Sequence, residues 1–140
     1  MFDVADAGER SEEELRTAYA AELRAAIETL GVDAAAERTG ADRATLSALA
    51  DGEASDLSLS LEEAAALVAA AGDDDPGALA AEARDRLLLG MTTAVLDVEA
   101  VESGIDGRME AKEIQQKLEG RFPMTVAEYA TLHAFIASRR

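Results

Sequence analysis

Apolar residues recur along this chain at three- and four-residue intervals, the spacing that lets a helix bury one face. Ser11 with Glu14 forms a capping-box pattern, and Leu15, Tyr19, Leu23, Ile27 and Leu30 then keep that spacing until Gly31. This predicts a helix over 12–30. Shorter segments follow, one over 33–39 ending at Gly40, and one over 43–50 with Asp42 as N-cap and Gly52 as its stop. Ser60 with Glu63 repeats the capping box ahead of an alanine-rich helix over 61–71. Asp75 and Pro76 supply an N-cap and a first-turn proline for a helix over 76–96. That helix turns apolar nearly all round from Leu87 to Leu96, so it is expected to be central and buried and to join two halves. Gly90 inside it implies a close helix crossing or a kink. Segments over 98–103, 110–119 and 126–137 complete the pattern, the last opening with a third capping box, Thr125 with Glu128. No stretch alternates cleanly with period two, and β-branched residues are sparse. The fold class is therefore all-α, an orthogonal helical bundle. Residues 1–10, ahead of the first cap, are expected to be disordered.

Charge changes this picture more than composition does. The chain carries 29 Asp plus Glu against 13 Lys plus Arg, a formal net charge of -16. Self-repulsion on that scale weakens a compact state at low salt, but near 1 M salt the Debye length falls to about 3 Å and most of the repulsion is screened. An apolar content of 49% is too high for an acidic disordered chain. With no cysteine there can be no disulfide, thiolate nucleophile or cysteine zinc site. The longest apolar stretch falls short of the ~20 residues of a bilayer span, so the expected location is cytoplasmic, with no membrane contact. The acid excess, the preference for arginine over lysine and the abundant alanine resemble haloarchaeal proteins, and the chain looks like one of their small uncharacterised helical families.

Ala36-Glu37-Arg38-Thr39-Gly40, followed by Arg43-Ala44-Thr45-Leu46-Ser47-Ala48-Leu49-Ala50-Asp51-Gly52, resembles the first helix, tight turn and recognition helix of a Cro/C1-type (XRE-like) helix-turn-helix. Ser60 to Leu67 matches the fourth helix of such a domain. A weaker copy follows: Val98 to Gly104 parallels Val32 to Gly40, Ile114 to Gly120 parallels Leu46 to Gly52, and Thr125 to Leu132 parallels Ser60 to Leu67. The turn before the second recognition-like helix is longer, and Lys117 stands where the first copy has Leu49. The implied organisation is an N-terminal helix plus the first helix-turn-helix unit over 11–72, then a central helix plus a second, degenerate unit over 73–140.

The resemblance implies that the reading helix of each unit meets base edges in the major groove of double-stranded DNA. In the first unit the outward residues are Ala44, Ser47 and Ala48, with Arg43 and Thr45 at the start, a nearly blank face that suits a protein contact better. In the second, Ala111, Ile114 and Leu118 share one face, while Lys112, Glu113, Gln116 and Lys117 are expected to point away, with Gln115 at the edge. Every lysine and glutamine of the chain lies there. Gln pairs with adenine, Lys donates to guanine or phosphate, and Arg121 is placed to reach the backbone. The candidate DNA-binding set is Lys112, Gln115, Gln116, Lys117 and Arg121, with Arg43, Thr45 and Ser47 secondary. The plainer reading is a solvated helix stitched by Glu113 and Lys117 at i, i+4. The alternative function is a helix-turn-helix scaffold binding another protein or a second copy of itself. One histidine, His133, cannot build a serine triad or a histidine metal site and is expected to pack. The aspartates at 73–75 read as caps rather than metal ligands. No catalytic residue, metal or cofactor is expected.

Overall fold

In a computed structural model, which describes residues 1–52 and 57–140, the chain is all-α. Its helices are α1 (Glu12–Leu30), α2 (Val32–Thr39), α3 (Arg43–Ala50), α4 (Leu61–Ala71), α5 (Pro76–Ala94), α6 (Val98–Gly104), α7 (Ala111–Leu118) and α8 (Val126–Ser138). Local chemistry sets most of the ends. The three capping boxes form at Ser11, Ser60 and Thr125, each with reciprocal bonds to the glutamate three residues on. Gly40, Gly52 and Gly120 take positive φ just past the ends of α2, α3 and α7. Asp75 caps α5 by accepting from Ala78 N at 2.9 Å. Asp42 stands at the N-cap position of α3, but its side chain makes no capping bond.

The four long helices form the core: α1 packs on α4 and α8, and α5 packs on the same two. The pairs α2/α3 and α6/α7 flank it, with α2 against α4 and α6 against α8. Loop contacts join the starts of α4 and α8. Ser60 and Thr125 form an isolated antiparallel bridge. Around it, Leu61 N–H donates to Met124 O at 2.7 Å, and Val126 N–H donates to Leu59 O at 2.8 Å. This reciprocal pair of bonds is what an antiparallel bridge requires. Along the long helices, Tyr19, Ala20, Leu23 and Ile27 of α1 correspond to Leu79, Ala80, Ala83 and Leu87 of α5, and all eight are buried.

Two stretches of the backbone depart from expectation. The first ten residues are not disordered: Phe2 is fully buried, with its ring 4.4 Å from Tyr19 and 5.8 Å from Tyr129, and a short 3₁₀ turn spans Ala7–Glu9. Its backbone N–H donates to Glu22 and the Met1 carbonyl accepts from Arg86, so one aromatic ring anchors a segment with no periodicity of its own. Helix α5 is not buried all round: Leu88 and Leu89 are exposed, Leu89 at 67%. It ends at Ala94, not 96, because Val95 takes φ 56 and Leu96 N–H returns to Met91 O at 2.8 Å. Gly90 does mark a close crossing, since a Cβ there would lie 2.7 Å from Ile136 Cγ2 of α8.

Candidate functional site

Both recognition-like helices are held in the same way. Arg24 of α1 donates through Nε to Leu49 O at 2.9 Å, and Arg84 of α5 donates to Lys117 O at 2.9 Å. Each guanidinium lies over the glycine that ends its helix, Gly52 or Gly120, and adds a charged donor to a last-turn carbonyl that also accepts from that glycine's N–H. The start of α7 is tied as well: Ala111 N–H donates to Glu102 Oε1 of α6 at 2.6 Å. The longer turn ahead of it is clamped by Arg108, which donates to both carboxylate oxygens of Glu12 at 2.8 and 3.2 Å. Glu12 also accepts from Thr131 Oγ1 at 3.1 Å. These bonds hold the Glu12 carboxyl below its usual range, the Arg108 hydrogen bond foremost. Helix α7 is thus fixed at both ends by charge-assisted bonds.

Its open face carries most of the candidate residues. Lys112, Gln115 and Arg121 are exposed and Gln116 is half-buried. With Glu119 they line one shallow concavity of about 210 Å³. The face packs on neither α1 nor α8; α7 rests on α6 and α5. Arg121 is loosely paired with Glu119 at 3.5 Å.

Lys117 does not belong to that face. It turns inward, is buried, and its ammonium pairs with both Glu113 and Glu128. Burial by itself would lower its pKa, but the hydrogen bonds to Glu113 and Glu128 outweigh that and the net shift is upward. At Glu128 burial opposes ionisation, and the bonds from Lys117 and from the Thr125 cap outweigh it, so the carboxyl lies below its usual range. The expected outward direction fails for a geometric reason: Lys117 occupies the position of buried Leu49, and a long side chain can follow an apolar path if its charged end meets a carboxylate.

The first unit's face is as sparse as its sequence. Arg43 is exposed but engaged with Asp33, Thr45 and Ser47 are half-buried, and Thr45 Oγ1 lies 3.5 Å from Asp42 Oδ2. Lone His133 is buried, with Nδ1 bonded to Tyr19 Oη. Burial drives its pKa down to about 4. Tyr129 beside it donates to Ala83 O at 3.0 Å and accepts from Arg86 at 3.0 Å. Sequence reasoning missed Arg86 and Phe2 as members of this cluster, because neither lies on a helical apolar stripe. Among the described residues no three His, Asp or Glu side chains gather as a metal site would require, and no helix is long and apolar enough to cross a membrane.

Fold and site together describe an all-α bundle with one polar helix, α7, fixed at both ends and open on one face. The chain belongs to the family of unknown function DUF5791, whose profile matches residues 15–139. No curated protein and no solved structure matches it.

Proposed function

We propose that this protein is a sequence-specific DNA-binding transcriptional regulator of halophilic type, not an enzyme, and that it reads double-stranded DNA through α7. The single observation carrying the reading is the confinement of Lys112, Gln115, Gln116 and Arg121 to one open face of a helix fixed at both ends. A rigid support keeps a bidentate amide within the narrow geometry of a base edge. Arg121, past the helix, suits the phosphate backbone. Negative net charge opposes DNA binding where counterion release supplies the affinity, but that contribution shrinks in the molar salt such a protein is suited to. Base contact and shape then carry more of the recognition. The cytoplasm of a salt-accumulating cell is the matching compartment.

The test is selection from a random duplex pool in molar potassium chloride, followed by titration of variants. Gln115→Ala and Gln116→Ala should each relax discrimination at one base position by about 1–3 kcal/mol, whereas Lys112→Ala should weaken all sequences alike. A pool that yields no enriched sequence, or three variants indistinguishable from wild type, overturns the reading. A second reading, a scaffold that binds another protein, is favoured by the blank face of α3, where Ala44 is exposed and the one strong charge, Arg43, is already paired with Asp33.

A further inference from the structure

The internal repeat provides its own control for an otherwise ambiguous surface. Each unit has a groove between its long helix and the end of its recognition-like helix. In unit one it is lined by Ala20, Ala21, Arg24, Gly52 and Leu57, and in unit two by Ala80, Ala81, Arg84, Gly120, Leu88 and Leu118. The first four members of each set are repeat-equivalent. The grooves differ in how they are filled. In unit one Leu57 is only 1% exposed, and the remaining space is about 250 Å³. In unit two the space is about 590 Å³.

Aligning the capping box at Ser60 with that at Thr125 makes Phe122 the counterpart of Leu57, just as Met124 is of Leu59 and Val126 of Leu61. Those other partners are all buried, yet Phe122 is 51% exposed. The two connections also differ in length. Leu57 stands five residues beyond Gly52, whereas Phe122 stands two beyond Gly120, which itself lines the groove, and Pro123 and buried Met124 pin the chain that follows. In unit two the aromatic ring does not line its own groove. One chain therefore carries an unfilled apolar slot and, beside it, an apolar side chain of the type that fills the equivalent slot in unit one. Arg121 precedes the ring, and of the acids that edge the slot Glu62 is paired with Arg84 and Glu119 loosely with Arg121, which leaves Asp85 without an ion pair among the described residues.

We infer that the protein forms an isologous dimer in which Phe122 of each copy enters the Leu88–Leu118 groove of the other. The two contacts are identical by symmetry, as a closed twofold pair requires. Apolar burial persists in molar salt, where the repulsion between two acidic chains is screened. The inference is independent of whether α7 reads DNA, because association is measured on the protein alone.

Sedimentation equilibrium over a concentration series in molar potassium chloride tests it. Wild type should dimerise. Phe122→Ser and Leu88→Ser should each raise the dissociation constant about a hundredfold or more, since either change acts at both symmetric contacts. Leu89→Ser should leave it unchanged, because Leu89 is the more exposed leucine but does not line the groove. The chain has no tryptophan, so Phe122→Trp gives a unique reporter whose emission should shift to the blue as concentration rises through the dimer midpoint. Four results would each overturn the inference. They are a wild type monomeric throughout the series, Phe122→Ser dimerising normally, loss of the dimer in Leu89→Ser but not Leu88→Ser, and a blue emission independent of concentration, which would place the ring in its own groove.

Discussion

Replacing Lys117 asks whether its ion pairs stabilise the second unit or merely accommodate a charge that the repeat would do better without. Removing one partner of a fully buried pair costs about 3–5 kcal/mol, mostly because the other charge is left unpaired. Here the Lys117 side chain is 11% exposed, but Glu128 and Glu113 keep 27% and 43% of theirs. Water can therefore recover part of the loss, and Lys117→Ala should cost about 2–3 kcal/mol, including the alkyl stem it no longer buries. Lys117→Leu reproduces the side chain that unit one carries as Leu49. It keeps the apolar burial, and Glu128 retains its bond from Thr125 N–H at 2.9 Å, so the cost should be about 1 kcal/mol or less. In thermal unfolding followed by circular dichroism in molar potassium chloride, the alanine variant should melt roughly 6–12 °C below wild type and the leucine variant within roughly 4 °C of it. Equal losses for alanine and leucine would refute the account, since the ion pairs and not the packed stem would then hold the position. An alanine variant as stable as wild type would refute the burial itself.

Two further outcomes follow from the buried histidine and the net charge. His133 is neutral when folded, with a pKa of about 4 against an ordinary 6.5, so the unfolded chain binds the extra proton between those values. Its contribution is complete above pH 6.5 and is lost as pH falls toward 4; unfolding free energy should drop by about 2 kcal/mol from pH 7 to pH 5, and His133→Gln should remove most of that slope. A slope unchanged in the variant would assign it to other groups. Lowering potassium chloride from molar to about 0.1 M lengthens the Debye length to about 10 Å and should reduce the melting temperature of this -16 chain, whereas sodium sulfate should restore it; a melting temperature flat across the series would refute the halophilic reading.

What the sequence made legible is what neighbouring residues decide among themselves. The capping boxes at Ser11, Ser60 and Thr125 and the glycines at 40, 52 and 120 act within one helical turn, and the helices begin and end where they stand. The direction of Lys117 depends instead on Glu128, eleven residues on and in another helix. Phe2 depends on Tyr19 and Tyr129, and the exposure of Leu88 and Leu89 on which sides of α5 meet α4 and α8. A period count sees an apolar stretch but not how many neighbours will arrive to cover it. The candidate face was read in part: Lys112, Gln115 and Arg121 are open to solvent, while Lys117 obeys the repeat more strictly than its charge suggested.

The packing of α1 against α8 also orders events during synthesis. Tyr19 bonds to His133, Glu12 to Thr131 and Arg108, and Phe2 packs at a tilt beside Tyr129, so partners lie close to the full length of the chain apart. A nascent chain leaves the ribosome with α2, α3 and α4 able to cover part of α1, but the side of α1 that meets α8 stays uncovered until α8 emerges. Loop closure over such a span has to precede the contacts that reward it. During that interval the uncovered side of α1 is exposed apolar surface, and in molar salt, where repulsion between acidic copies is screened, it is the arrival of the last helix that removes it from reach of other unfinished chains.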